Sequence, residues 1–296
     1  MKRRSIVAVG TALTVLATGL IAGVAVTARS ATAALSDVPA DCGAITEAYR
    51  SDGQRLSYRY MGGKTSTKAI SGDKLGWVPS ALTSFGGAGS PDSYTEDGLA
   101  VHPTDGYVYH VYRAVKQVDG VLKVTQLTVT RVASGFAGTR GLTTAWPYVY
   151  RLADTSLYRY KFAYVDGKPS LSAPVKLSGR GWDTVRTLKH VRTDGTASAP
   201  VDVLVGTKSN GELKHWRITY ASPATISSTV QKTSGWAPFT SLSPGWCNDH
   251  PKGLVLLGIK ADGSASAHFD ANQSDGDGSD IKGGSLGLLG WTVKAY

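Results

Sequence analysis

Hydrophobic and polar residues alternate in short runs along most of the chain, from about residue 41 to residue 296. Alternation with a period of two is typical of half-buried β-strands. Five of these runs are related in sequence, and each follows a tight turn: LSYRY from Leu56, VYHVY from Val108, LYRYKF from Leu157, LKHWRI from Leu213 and ASAHFD from Ala265. The pattern therefore predicts an all-β fold built from a repeated unit.

Two further signals recur in step with these runs. A turn precedes each run, at Asp52-Gly53, Asp105-Gly106, Asp154-Thr155-Ser156, Asn210-Gly211 and Asp262-Gly263. Asp-Gly and Asn-Gly favour hairpin turns because both residues tolerate positive φ. A glycine followed by a large aromatic closes each unit, at Gly76-Trp77, Gly135-Phe136, Gly181-Trp182, Gly235-Trp236 and Gly290-Trp291. From residue 53 through 106, 156 and 211 to 263, the repeat lengths are 53, 50, 55 and 52 residues.

A repeat of about 50 residues with four strands per unit is typical of β-propeller blades. We predict a five-bladed β-propeller of four-stranded antiparallel blades over residues 41–296, after a short N-terminal segment, 34–40. The predicted blades are about 41–97, 98–146, 147–199, 200–252 and 253–296. A linear solenoid is the alternative, but it requires atypical polar units at both ends, whereas the last unit is complete.

The first 33 residues differ from the rest of the chain. A basic segment, 2–4, precedes an apolar run, 6–26, and the small residues Ala31–Ala33 follow. This order is typical of a secretory signal peptide. We predict cleavage after Ala33 and a secreted protein with no stable membrane insertion afterwards. Retention of the apolar run as a membrane anchor is the alternative.

Composition narrows the function classes further. The chain has 35 glycines but only three glutamates and five glutamines, which disfavours a helical bundle because straight-chain helix formers are scarce. The net charge is +10 and falls to +6 without residues 1–33, which hold four basic and no acidic residues. The remaining lysines and arginines form no cluster, so we predict no nucleic-acid partner.

The chain has two cysteines, Cys42 and Cys247, which lie near the start of the first and of the last predicted unit. In a closed ring these two units are neighbours, so a disulfide between the cysteines would join them. A secreted protein can keep such a bond in an oxidising compartment. Two unpaired thiols are the alternative.

The phased turns, the Leu-Tyr strands and the closing Gly-Trp pairs make residues 41–296 similar to the tachylectin-type propeller lectins. The best copies of the family motif are Gly181-Trp182-Asp183 and Gly235-Trp236, which are the candidate ligand-binding residues. The resemblance implies a five-bladed propeller with sites for N-acetylated amino sugars between adjacent blades. Asp183 would orient sugar hydroxyl or amide groups, and Trp182 would shape the pocket. The other four aromatics lack the acidic or amide residue that follows in the family motif.

From this resemblance we predict a secreted, non-catalytic carbohydrate-binding protein without metal or cofactor, whose partners are glycans of a cell wall or cell surface. Two alternatives are an envelope or protein-interaction scaffold and a five-bladed propeller glycoside hydrolase. Such hydrolases use two carboxylates as acid and as base or nucleophile. Glu47, Glu96 and Glu212 lie at unrelated positions of the repeat, so no catalytic residue is predicted.

Other residues are further candidates. Trp146, Trp216 and Trp246 lie outside the Gly-aromatic pattern and are candidates for ligand-facing positions, whereas the aromatics of the pairs are expected to pack between blades. A second set shares one position in the strand after each turn: Arg59, His110, Arg159, His215 and His268. These side chains are expected to bind a ligand or the carbonyls of an adjacent blade. The acidic stretch 275–280 is expected to be a solvated loop rather than a calcium site.

Overall fold

The computed structural model describes residues 34–296, so the predicted signal peptide over 1–33 lies outside the described residues. Most of this part of the chain forms β-strands, and the only helices in it are two three-residue 3-10 helices, Leu35–Asp37 and Trp182–Thr184. The all-β prediction is confirmed. No helix within residues 34–296 has the length and hydrophobicity needed to span a membrane.

The strands form five antiparallel groups that follow one another along the chain. Group 1 contains β1 (Cys42–Tyr49), β2 (Gln54–Met61) and β3 (Lys64–Lys74). Group 2 contains β4 (Ala81–Ser90), β5 (Ser93–Val101), β6 (Val108–Val118) and β7 (Val121–Ala133). Group 3 contains β8 (Thr139–Ala145), β9 (Tyr148–Ala153), β10 (Ser156–Val165), β11 (Lys168–Leu171) and β12 (Val175–Lys176).

The two remaining groups are similar in size. Group 4 contains β13 (Lys189–Thr196), β14 (Ala199–Thr207), β15 (Leu213–Thr219) and β16 (Ile226–Lys232). Group 5 contains β17 (Phe239–Pro244), β19 (Leu254–Lys260), β20 (Ser264–Asp270) and β21 (Lys282–Leu288). Within each group the strands pair in chain order, except that β12 pairs with β10, and one parallel bridge between β3 and β7 also joins groups 1 and 2.

Two short strands from the other end of the chain complete group 1. The strand β22 (Lys294–Ala295) pairs with the end of β1, at Ala48 and Tyr49. The strand β18 (Trp246–Cys247) pairs with the start of β1. Group 1 therefore receives its first strand from the C-terminal segment, which links the last part of the described chain to its beginning.

The observed groups are displaced by one strand from the predicted units. The predicted limits fall after the first strand of a group: position 97 lies inside β5, 146 between β8 and β9, 199 at the start of β14 and 252 just before β19. The tight turns lie between the second and third strands of each group, and the Gly-aromatic pairs lie between groups. The predicted units begin with β1, but β1 is the second strand of group 1, because β22 supplies the first strand of that group.

Hydrophobic clusters lie between neighbouring groups, and each contains the ring of one Gly-aromatic pair. Trp77 packs between groups 1 and 2, Phe136 between 2 and 3, Trp182 between 3 and 4, and Trp236 between 4 and 5. Trp291 packs between groups 5 and 1, stacked on Tyr58 with ring centroids 4.6 Å apart. Each ring removes about 150–250 Å² of surface from water. The same kind of interface therefore joins the last group to the first.

A disulfide between Cys42 and Cys247 lies at this last interface and confirms the predicted pairing. Cys42 belongs to β1, and Cys247 belongs to β18, which follows the first strand of group 5. The bond joins residues 205 positions apart. Near it, His250 Nδ1 lies 3.0 Å from Asp41 Oδ1, which adds a polar contact between the same two parts of the chain.

Candidate functional site

Strands from all five groups surround a central cavity of about 290 Å³. Much of its lining carries hydroxyl groups, from Thr46, Thr83, Ser84, Thr143, Thr144 and Ser243. The titratable side chains of the lining are Glu47 of β1, Lys189 and His190 of β13, and Tyr296. The volume is close to the lower limit of about 300 Å³ for small-molecule sites. The cavity can therefore hold one small polar ligand.

Group 1 leaves a gap in the wall of this cavity. The strands β18 and β22 cover the two ends of β1, so within the described strands Ala44, Ile45 and Thr46 have no partner on the side opposite β2. The first strands of the other groups are six to ten residues long, whereas β22 has two residues. Ile45 and Glu47 therefore line the central cavity directly.

A cluster of charged side chains lies between groups 1 and 2. The guanidinium group of Arg55 donates hydrogen bonds to Glu47 at 2.8 Å and to Asp73 at 3.0 Å. It also binds both carboxylate oxygens of Glu96, with Nη2 at 3.2 Å from Oε2. Arg113 donates from Nε to the second oxygen of Asp73 at 2.8 Å. Asp73 is fully buried, so its charge depends on these two guanidinium groups for compensation.

Glu47 and Glu96 thus meet at Arg55, although the sequence pattern had them at unrelated positions. Each lies on the second strand of its group, Glu47 on β1 and Glu96 on β5. The predicted unit limits put Glu96 between two blades because those limits are displaced by one strand. The sequence predicted no pair of neighbouring carboxylates, and this supported a non-catalytic protein. That prediction is wrong, because Glu47 and Glu96 bind the same guanidinium group.

Six side chains between groups 2 and 3 pack into a partly exposed cluster, which we call the aromatic cleft: Phe85, Asp97, His110, Trp146, Phe162 and Tyr164. Trp146 lies in the turn between β8 and β9, and its side chain is 58% exposed. The centroid of its ring lies 5.9 Å from that of Phe85 and 5.8 Å from that of Phe162. The indole is therefore supported by two other rings while most of it remains open to solvent.

The polar part of the aromatic cleft is a network of three side chains. The Tyr164 hydroxyl donates to Asp97 Oδ2 at 3.0 Å, and His110 Nε2 lies 3.0 Å from the same oxygen. Burial, and then the Asp97 carboxylate, raises the pKa of Tyr164 to about 12, so the hydroxyl keeps its proton at neutral pH. Asp97 Oδ1 accepts no hydrogen bond from residues 34–296, and Asp97 is half-buried. This oxygen is available to a ligand.

The ligand-binding residues predicted from the sequence are divided between core and surface. Trp182 is 2% exposed and Trp236 is 4% exposed, so both rings belong to the interfaces between groups. Gly181 and Gly235 have φ values of +79° and +93°, a left-handed conformation that favours glycine. Asp183 is exposed, and among the described residues its carboxylate has no partner. A role for this segment in ligand binding stays a prediction.

Two of the three tryptophans outside the Gly-aromatic pattern are exposed. Besides Trp146, Trp246 is 40% exposed, next to the disulfide. Trp216 is buried against Trp182, with ring centroids 5.3 Å apart. Exposure therefore distinguishes Trp146 and Trp246 as candidates for contact with a ligand, and of these two only Trp146 belongs to the aromatic cleft.

The second predicted set lies on the third strands of the groups: Arg59, His110, Arg159, His215 and His268. Arg159 donates to the carbonyl of Thr219 in group 4 at 2.8 Å, which is a contact between neighbouring groups. Burial lowers the pKa of His215 and of His268 to about 4, so both imidazoles are neutral at pH 7. His110 alone of the five belongs to the aromatic cleft.

Metal-type ligands come together at one place within residues 34–296, where Asp41 lies beside Cys42 and Cys247. Both cysteine sulfurs are bonded in the disulfide. In the acidic loop 275–280, Asp275 and Asp277 each accept a backbone N–H from two residues further along the chain. These hydrogen bonds are typical of Asx turns in a solvated loop.

No protein-family model and no curated protein matches the chain. One similar solved structure is a candidate 6-phosphogluconolactonase from Bacteroides uniformis, with 13% identity, a TM-score of 0.37 and coverage of 82% of this chain and 66% of that one. A second is AofleA from Arthrobotrys oligospora, with 13% identity, a TM-score of 0.41 and coverage of 81% and 67%. A third is the periplasmic gluconolactonase PpgL from Pseudomonas aeruginosa, with 12% identity, a TM-score of 0.23 and coverage of 86% and 98%.

The chain spans about two thirds of the length of the first two structures. These similarities concern the coarse, propeller-like all-β fold, and none of the three structures is named as a tachylectin. Two of them are named as lactonases. The prediction that this protein is not an enzyme is wrong on this comparison and is withdrawn.

Proposed function

We propose that the protein is a five-bladed β-propeller whose blades are groups 1 to 5 and that it binds carbohydrate in the aromatic cleft. The ring closure is supported by β22, which pairs with β1, and by the Trp291 interface between groups 5 and 1. Further support comes from the central cavity, to which every group contributes residues. A closed ring requires no capping units.

The observation that carries the carbohydrate proposal is the exposed Trp146 beside the network of Asp97, His110 and Tyr164. The face of an indole ring can stack on the C–H surface of a pyranose, because both are apolar and flat. The free oxygen of Asp97 can accept a hydrogen bond from a sugar hydroxyl or amide. One aromatic platform with a few fixed polar groups is the combination that small-ligand sites use for affinity and orientation.

The resemblance to tachylectin-type lectins suggests N-acetylated amino sugars as the ligand class, and the exposed Asp183 carboxylate is a second position for contact with such sugars. Two sites on one rigid ring would bind a multivalent glycan surface more tightly than either site alone. Each individual site can therefore be weak.

A glycan array probed with the purified protein tests this proposal. We expect binding to amino-sugar glycans, and a loss of affinity of at least about tenfold for Trp146→Ala and for Asp97→Asn. Trp246→Ala removes an exposed indole outside the cleft and is the matched control, which should bind like the wild type. Asp183→Ala reports separately on the second position.

The carbohydrate proposal fails if the folded wild type binds no glycan, which would favour the scaffold alternative. Equal losses for Trp146→Ala and Trp246→Ala would also refute the cleft as the site. Mass spectrometry of the incubated glycans records whether any of them is cleaved.

A second candidate function is hydrolysis of a sugar derivative beside the Arg55 cluster, and the observation in its favour is the meeting of Glu47, which also lines the central cavity, with Glu96 at Arg55. Glycosidases use such pairs of carboxylates as acid and as base or nucleophile. A screen with aryl glycosides and sugar lactones tests it. Turnover that disappears in Glu47→Gln but persists in Glu212→Gln, the third glutamate, would support it, and the absence of turnover in the wild type would reject it.

We also propose that the protein is exported after cleavage behind Ala33. The disulfide between Cys42 and Cys247 supports this proposal, because such bonds persist in oxidising compartments. N-terminal sequencing of the protein from the extracellular and periplasmic fractions is the test. A cytoplasmic protein that retains residues 1–33 would contradict it.

A further inference from the structure

A second, smaller cavity of about 90 Å³ adjoins the central cavity and shares Leu82, Lys189 and Tyr296 with it. Strands of all five groups contribute to its wall. Its charged side chains are four cations: Arg140, Arg186, Lys189 and Lys294. No aspartate or glutamate side chain is among the described residues that line it. The charged groups on the wall of this cavity are therefore all positive, and three of them, Arg140, Arg186 and Lys294, belong to exposed residues.

Three of the four cations are held in place by carbonyl groups of the next group along the chain. Arg140 donates to the carbonyl of Val185 at 2.8 Å, and Lys294 donates to that of Pro79 at 3.0 Å. Arg186 donates from Nη1 to the carbonyl of Ala237 at 3.2 Å. Neutral carbonyls fix the position of a cation but leave its full charge uncompensated. Within the described residues, Nε and Nη2 of Arg186 have no acceptor.

Lys189 is the fourth cation and lies where the two cavities meet. Its ammonium group makes no hydrogen bond or ion pair with any residue between 34 and 296. Burial lowers the pKa of Lys189, and the Glu47 carboxylate acts in the opposite direction. A half-buried ammonium group that lines a cavity without a hydrogen-bond partner is free to donate to an anion placed beside it.

We infer that this cavity binds a small oxyanion of the phosphate or sulfate type, held by Arg186, Lys189 and Lys294. Charge-assisted hydrogen bonds from fixed cations to such oxygens are stronger than neutral ones. One water molecule needs at least about 10–15 Å³ of cavity volume, so about 90 Å³ leaves room for several waters or for one tetrahedral ion. The hydroxyl-lined central cavity next to it would leave space for the organic part of a phosphate monoester.

Calorimetric titration of the purified protein with inorganic phosphate, at constant ionic strength in chloride, tests the inference. We expect saturable binding that is weakened at least about tenfold in Arg186→Gln and in Lys189→Met. Arg131→Gln removes an exposed arginine of β7 that does not line this cavity, and it should bind like the wild type. Titration with phenyl phosphate distinguishes a site for the free ion from a site for a monoester, because a monoester site should bind phenyl phosphate more tightly than inorganic phosphate.

Near-ultraviolet circular dichroism checks that each variant is folded. If Lys189→Met is unstable, Arg186→Gln provides the test, because Arg186 is exposed. Absence of phosphate and sulfate binding by the folded wild type would overturn the inference, as would an unchanged affinity in Arg186→Gln. The aromatic cleft contains neither residue, so glycan binding should persist in Arg186→Gln. Failure of either proposal is therefore distinguishable from failure of the other.

Discussion

Removal of the disulfide between Cys42 and Cys247 should destabilise the protein strongly. The bond joins Cys42 of β1 to Cys247 of β18, at the interface where the last group meets the first. On the side opposite β2, the backbone pairing at that end of β1 involves the two residues of β18. In Cys42→Ala/Cys247→Ala, the unfolded chain loses its largest covalent loop and gains conformational entropy.

The magnitude follows from the length of that loop. With 205 positions between the two cysteines, the chain-entropy relation gives about 5 kcal/mol at room temperature. Losses measured when native disulfides are removed are about 2–5 kcal/mol, because the native and unfolded states both adjust. A domain of ordinary stability has about 5–15 kcal/mol in total, so the double variant should lose a substantial part of it.

Urea denaturation of the wild type and of the double variant measures the difference in the free energy of unfolding. We expect the midpoint to fall by an amount that corresponds to about 3–5 kcal/mol. A reducing agent should lower the wild type to the same midpoint and leave the variant unchanged. A loss below about 1 kcal/mol, or an equal effect of the reductant on both proteins, would refute the reasoning.

Two further predictions concern buried carboxylates. Asp73→Asn keeps the shape of the side chain but leaves Arg55 and Arg113 without their shared anion. Thermal denaturation should therefore record a loss of about 3–5 kcal/mol in the free energy of unfolding. The control Asp52→Asn changes an exposed carboxylate and should have little effect. Burial, and then Asp280, raises the pKa of Asp270 to about 7, so the folded protein binds a proton that the unfolded chain has already released above about pH 4. The stability that Asp270 contributes is therefore complete below pH 4 and is lost as the pH rises to 7. This decline in the free energy of unfolding with pH should disappear in Asp270→Asn. An identical pH profile of stability for the variant and the wild type would contradict the assignment.

The local features of the fold were predictable from the sequence because they depend on neighbouring residues. Asp52-Gly53 and the four related turns lie between strands as expected, since positive φ is a local requirement. The aromatic that follows each glycine packs between groups, because a large apolar ring at one position of every repeat must be buried. The pairing of Cys42 with Cys247 followed from the same periodicity.

The candidate sites were less predictable, because they combine residues from two groups. Trp146 was a candidate from its place outside the repeat pattern, but nothing in the sequence joined it to Asp97 or to Tyr164. Glu47 and Glu96 are 49 positions apart and meet only because neighbouring groups pack with their second strands close together at Arg55. The identity of a residue on one strand does not predict which strand of the next group its side chain will contact.

The sequence by itself determined the strand content, the turns, the five-fold repetition and the disulfide, since each of these arises from local conformational preference or from a regular period. Tertiary structure alone decided the phase of the groups, through the pairing of β22 with β1, and with it the gap that opens Glu47 to the central cavity. It also decided which cations gather around the smaller cavity. Backbone hydrogen bonds between distant strands do not depend on side-chain identity, so no residue pattern records them.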